Sequence, residues 1–232
     1  SWISLCWNES STSTSELWST TSNGDILTWN LDLNSTKFIH GHSRAIFQLL
    51  HIPSLNALLS ISMDRNINLW DTRKKSKLWE MSTLGGYVYA IAEHPLDPSL
   101  LALACGDNSI RIWINQECVS SLESRSSNVN NDLERLGNSG SPPGGVSSSR
   151  LSASFVWKGI TSKVTCVQWH PTNPNELAFG MADGTLAAYN LTTQHCNTLQ
   201  QKHQSTVYDL RYVANANGET YSILSIGGDS QV

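Results

Sequence analysis

The chain has 232 residues, 39% hydrophobic and 15% charged, with 15 Lys and Arg against 19 Asp and Glu for a formal net charge of −4. That balance excludes a polycation that grips nucleic acid by global attraction, so any such binding must come from a local patch. The length allows one domain or parts of two, and no run of about 18 apolar residues offers a membrane-crossing helix.

The first unit spans residues 2 to about 39, with strands expected at 2–7, 16–20, 26–31 and 37–39. The second spans 45–79, with strands at 45–52, 57–62, 67–71 and 77–80. The third opens at 87–91 and continues through 100–105 and 109–114. Residues 116–154 then interrupt the pattern with a Ser-, Asn- and Gly-rich insertion carrying Ser141-Pro142-Pro143-Gly144-Gly145. Such a composition cannot bury enough apolar surface to offset its ordering entropy, so this stretch is expected to be disordered. The delayed fourth strand of that unit is expected at Phe155-Val156-Trp157. The fourth unit has strands at 163–169, 176–180, 185–191 and 197–200, and a fifth starts at 207–213 and 221–226. Each segment is short, rich in β-branched or aromatic residues, and bounded by Gly, Pro, Asn or Asp.

Three third strands end in Thr28-Trp29-Asn30, Leu69-Trp70-Asp71 and Ile112-Trp113-Ile114, at intervals of 41 and 43 residues, and a fourth ends at Tyr189. This period and ending are the signature of a WD-repeat β-propeller. The fold class is therefore all-β: about four complete blades and one truncated, reading as a fragment of something longer. In the second unit, His42, Ser60, Asp64 and Trp70 stand where a buried hydrogen-bond relay belongs, Asp to His to Ser to indole. Leu103 and Phe179 replace the strand serine in the third and fourth units, and only the second unit looks complete. His, Ser and Asp in this pattern are structural and not a catalytic set. Neither paired carboxylates, a metal-ligand cluster nor a phosphate-cradling loop stands out, so no enzyme, metal or cofactor is expected. The odd, scattered cysteines (Cys6, Cys105, Cys118, Cys166, Cys196) fit reduced thiols of a cytosolic or nuclear protein.

A propeller's upper face is built from the loops entering each first strand and the turns between second and third strands. Those positions hold Trp2, Arg44, Arg65, Tyr87, Tyr89, Lys163 and Tyr208. Flat rings and cations together suit a single-stranded nucleic acid, whose bases stack while its phosphates pair. The plainer alternative is packing aromatics and solvated cations on a propeller that binds peptides. Trp7, Trp18 and Trp169 are expected in the core.

Several stretches, taken in order, are more specific: Gly41-His42-Ser43-Arg44, Ser62-Met63-Asp64-Arg65, Leu84-Gly85-Gly86-Tyr87-Val88-Tyr89, Gly159-Ile160-Thr161-Ser162-Lys163-Val164-Thr165, Trp169-His170-Pro171-Thr172, Ala178-Phe179-Gly180 and Thr206-Val207-Tyr208. Together they resemble the amino-terminal WD-repeat region of the gem-associated protein 5 family, over most of the chain outside 8–16 and 116–154. The resemblance implies part of a tandem pair of seven-bladed propellers, with 1–84 the last blades of the first ring and 85–232 the opening blades of the second. It implies a non-enzymatic RNA-binding adaptor that reads the Sm site and 7-methylguanosine cap of precursor small nuclear RNAs for snRNP assembly. The survival-of-motor-neuron complex proteins would be its partners, in the cytoplasm and in nuclear bodies. Carried over by motif, Trp2, Arg44, Arg65, Tyr87, Tyr89 and Tyr208 would bind RNA or cap. The rival reading is a protein-interaction WD-repeat scaffold without RNA binding.

Overall fold

The computed structural model describes residues 4–8, 16–53, 56–83, 86–97, 99–114, 153–157, 160–200, 202–216, 218 and 220–229. They form eighteen strands in five antiparallel sheets. Blade I contains β1 (Leu5–Trp7), β2 (Glu16–Thr20), β3 (Asp25–Asn30) and β4 (Ser35–His40). Blade II contains β5 (Ile46–Ile52), β6 (Ala57–Ser62), β7 (Asn66–Asp71) and β8 (Ser76–Ser82). Blade III contains β9 (Val88–Glu93), β10 (Leu100–Cys105), β11 (Ser109–Ile114) and β12 (Ala153–Trp157). Blade IV contains β13 (Val164–Trp169), β14 (Glu176–Met181), β15 (Leu186–Asn190) and β16 (His195–Thr198). β17 (Val207–Ala214) and β18 (Tyr221–Gly227) form the two-stranded fifth sheet.

The repeat is visible as register. The aromatic that ends each third strand pairs with a leucine of the second: Trp29 with Leu17, Trp70 with Leu58, Trp113 with Leu101, Tyr189 with Leu177. Five residues before each aromatic, the upper turn needs a left-handed backbone. Gly24, Asn108 and Gly184 supply it in blades I, III and IV, at φ +94°, +60° and +87°. In blade II the same place is held by Arg65, at φ +67°.

One blade cannot bury both faces of its sheet, so the cores lie between blades. Trp18 and Ile26 of blade I meet Ile46, Leu49, Leu58 and Trp70 of blade II. Leu59, Ile61 and Leu69 of blade II meet Ile91, Leu101 and Trp113 of blade III. Ala102, Ile110 and Ile112 meet Val164, Trp169 and Phe179, and Cys166, Ala178 and Leu186 meet Val207 and Leu210. The innermost strands are also stitched seam by seam. Leu49 N–H donates to Ser4 Oγ at 2.9 Å, and the Gln48 amide exchanges bonds of 3.0 and 2.8 Å with the Ile91 backbone. Trp169 Nε1 donates to Ala92 O at 3.2 Å, and Thr165 Oγ1 to Val207 O at 2.6 Å. Blades II and III pack against each other as the other neighbouring blades do.

Three expectations change. Trp7 is not core: it is 54% exposed. Cys6 is the residue of β1 that turns into the blade I–II core, so strand alternation sends Leu5 and Trp7 to the opposite face. The insertion is shorter at its end than 154, because Ala153 already pairs with Trp113 in β12; residues 116–152 lie outside the described residues. The relay is not confined to the second unit: His203, Ser225 and Asp229 form another in the fifth sheet.

Candidate nucleic-acid interface

The inner strands of blades II to IV and of the fifth sheet share one irregularity. Register shifts occur between Ile46 and Gln48, opposite Val88 to Ala90, between Val164 and Cys166, and between Val207 and Asp209. Each shift is a β-bulge that leaves one residue out of the ladder: Phe47, Tyr89, Thr165 and Tyr208. A bulge bends its strand and re-aims the side chain it carries. The residue before each bulge is a buried Ile or Val (Ile46, Val88, Val164, Val207) that anchors the strand in an inter-blade core. The four bulge residues all line a single cavity of about 790 Å³, together with Lys163, Gln48, Glu93, Asp209 and Arg211.

This geometry places most of the residues singled out in the sequence. Tyr89 and Tyr208 line the cavity, and Tyr208 is 54% exposed. Tyr87 stands beside Tyr89, centroids 6.1 Å apart, without lining the cavity itself. Arg65 reaches across from blade II, its guanidinium carbon 5.3 Å from the Tyr87 ring centroid. Arg44 is exposed, and its carbonyl accepts from Ser62 Oγ. Among the described residues neither Arg44 nor Arg65 forms an ion pair with a carboxylate. Trp2 lies outside the described residues.

Phe47 was missed by the sequence reading. Its ring lies 5.2 Å from Tyr89 and 6.2 Å from Tyr87, centroid to centroid, bridging blades II and III. The signal was available: Ile46-Phe47 repeats the pattern of Val88-Tyr89 and Val207-Tyr208 at the same place in its unit.

The relay residues lie in the face of blade II that meets blade I. His42 Nδ1 is 2.9 Å from Asp64 Oδ2, His42 Nε2 is 2.7 Å from Ser60 Oγ, and Trp70 Nε1 donates to Ser60 Oγ at 2.8 Å. Ser60 is fully buried, and its oxygen already serves both neighbours, so no substrate reaches it. Burial lowers the His42 pKa, against the opposing pull of Asp64. A second relay, which the sequence reading overlooked, joins the fifth sheet. His203 Nδ1 is 2.9 Å from Asp229 Oδ1, and His203 Nε2 is 2.8 Å from Ser225 Oγ. The parallel extends to the next residue: Ser43 N–H donates to Asp64 and Gln204 N–H to Asp229. Asp follows Ser by four residues in both, which was the readable clue. Blade I keeps one link, from Trp29 Nε1 to Ser19 Oγ at 2.8 Å.

Cys166 also borders the cavity, but burial pushes its thiol up to about 12, which leaves it no nucleophile near neutral pH. No group of three or more His, Cys, Asp or Glu among the described residues could hold a metal ion. What the cavity offers is the rings of Phe47, Tyr89 and Tyr208, the ammonium of Lys163, the Arg211–Asp209 ion pair and the half-buried Glu93.

Repeated four-stranded blades with this register are those of a WD-repeat β-propeller. The family described as WD domain, G-beta repeat matches residues 33–71, 79–113 and 151–190. The chain is similar to gem-associated protein 5 of Homo sapiens: the two are 28% identical over 241 residues, covering 98% of this chain and 14% of that protein. It is also 27% identical over 248 residues to component of gems protein 5 of Dictyostelium discoideum, covering 90% of this chain and 17% of that protein. A more distant similarity, 23% identity over 197 residues, is to the ribosome biogenesis protein WDR12 homolog of Chlamydomonas reinhardtii, covering 84% of this chain and 37% of that protein. The chain thus spans about one sixth or less of the gem-associated relatives' length.

Proposed function

We propose that this chain is part of an RNA-binding adaptor that recognises the Sm site and 7-methylguanosine cap of precursor small nuclear RNAs during snRNP assembly. It would work beside the proteins of the survival-of-motor-neuron complex, in the cytoplasm and in nuclear bodies. The observation that carries the reading is the convergence of Tyr89, Tyr208 and Lys163, from three successive blades, on one cavity. Unpaired bases stack on such rings at about 1–3 kcal/mol each, and cations at the rim hold phosphates. Arg65, set on Tyr87, and Arg44 add charge on the same face of a chain that is acidic overall. Trp2 belongs to the proposed set through the family resemblance.

The test is fluorescence polarisation of a capped, uridine-rich RNA with the intact protein. Tyr89→Ala is expected to weaken binding at least about tenfold, the loss of one stacked base. Unchanged affinity would reject the assignment. Ultraviolet crosslinking to oligo-uridine, competed by cap analogue, separates this reading from a scaffold that binds only protein.

A further inference from the structure

The arc of bulge residues is interrupted at one place. Phe47, Tyr89 and Tyr208 carry rings, but Thr165, between Tyr89 and Tyr208 in blade order, carries a small side chain. All four line the same cavity, and Lys163 stands two residues before Thr165 at its rim. Resting on the reading above, we propose that Thr165 is a specificity-determining residue: its small size opens a seat for one flat base between the rings of Tyr89 and Tyr208, with Lys163 placed to meet the attached phosphate.

Two features make the Tyr89 side of the seat a fixed wall. Phe47 packs against that ring from the preceding blade, centroids 5.2 Å apart. On its own blade, Gly106 lies so close that a Cβ there would sit 3.0 Å from Tyr89 Cε2. The ring therefore has a neighbour from each of two blades, and a base stacking on it loses little to ring reorganisation. Tyr208, more than half exposed, is the open side.

The floor is fixed differently. Thr165 Oγ1 lies 2.6 Å from Val207 O and 3.1 Å from Gly180 O, so its hydroxyl faces the blade seam. What Thr165 gives the seat is therefore its small volume. A larger apolar side chain at this bulge would occupy the space the base needs. A side chain of equal size without the hydroxyl would leave the seat open and weaken only the seam.

The experiment is a volume series at residue 165 in the intact protein, read by polarisation of the same capped, uridine-rich RNA, with thermal melts on every variant. Thr165→Val is expected to melt lower yet bind within about twofold of the parent. Thr165→Leu should bind more weakly, and Thr165→Phe at least about tenfold more weakly, the equivalent of one lost stacked base. Should Thr165→Phe fail to fold, Thr165→Leu against Thr165→Val decides the question. Affinity that ignores volume, or a Thr165→Val loss equal to that of Thr165→Leu, overturns the proposal. Tyr89→Ala distinguishes the two levels: if it binds as the parent does, the RNA reading fails. If it loses binding while the volume series stays flat, only the seat fails.

Discussion

The guanidinium of Arg65 rests 5.3 Å from the centre of the Tyr87 ring, across the seam between blades II and III. It does so from a backbone position, φ +67°, that the other complete blades give to glycine or asparagine. A long side chain costs about 1 kcal/mol or more there. Strain of this kind, kept in a turn whose side chain packs on Tyr87 beside the cavity-lining Tyr89, points to a role for the side chain rather than for the fold. Arg65→Gly should therefore be more stable than Arg65→Ala by about 1 kcal/mol, because glycine accepts the left-handed turn. Both should lose RNA affinity. Urea midpoints and polarisation measured on the same samples would show the two effects moving apart.

The buried relay of blade II gives a stability prediction with a pH signature. Ser60→Ala removes the acceptor of the Trp70 indole and the partner of His42, and is expected to cost about 2–3 kcal/mol in a urea melt. His42 has its folded-state pKa depressed below the ordinary 6.5. Above that value the imidazole is neutral in both states and its interactions stabilise the fold in full. As pH falls below it, the unfolded chain takes up a proton that the folded chain resists, so stability declines until the lower, folded-state pKa is passed. The urea midpoint should fall from pH 7.5 to 5.5, and His42→Gln should fall less over that range.

Gln48 closes the seam between blades II and III by bonding both the N–H and the C=O of Ile91. Gln48→Ala strands both groups and should cost about 2 kcal/mol. Gln48→Glu, which still accepts from the N–H but turns a carboxylate toward the carbonyl, should fall between Ala and the parent near neutral pH. Thermal melts of the three proteins check the order.

The fifth sheet offers a steric test of the second relay. A Cβ on Gly227 would stand 2.3 Å from His203 Nδ1 and 2.6 Å from Asp229 Oδ1, inside the hydrogen bond itself. Gly227→Ala should cost at least about 2 kcal/mol. Hydrogen exchange should show faster opening of β17 and β18 than of blade II. Equal protection of both would count against a structural relay here.

Much of the fold was legible because it is written in local pattern. The strands at 16–20, 57–62, 100–105 and 109–114 match β2, β6, β10 and β11 residue for residue. The displaced fourth strand of blade III was also readable across a long insertion, since Phe155-Val156-Trp157 is a strong strand former. Trp7 was misread because strand composition says that one face is apolar but not which face finds a neighbour. The second relay was passed over although Ser225 and Asp229 repeat the spacing of Ser60 and Asp64, because Lys202 precedes His203 where the Gly41-His42 pair marks the first.

By itself the sequence determined the repeat: its period, the Trp or Tyr that ends each third strand, and the turn residues between second and third strands. These depend on interactions within one blade, whose partners are never far along the chain. Only the tertiary structure decided which side chains meet between blades. Phe47 reaches Tyr89 and Arg65 reaches Tyr87 because successive inner strands pack side by side and bulge at equivalent points. No local propensity encodes that contact, since each partner is a separate unit of the same repeat.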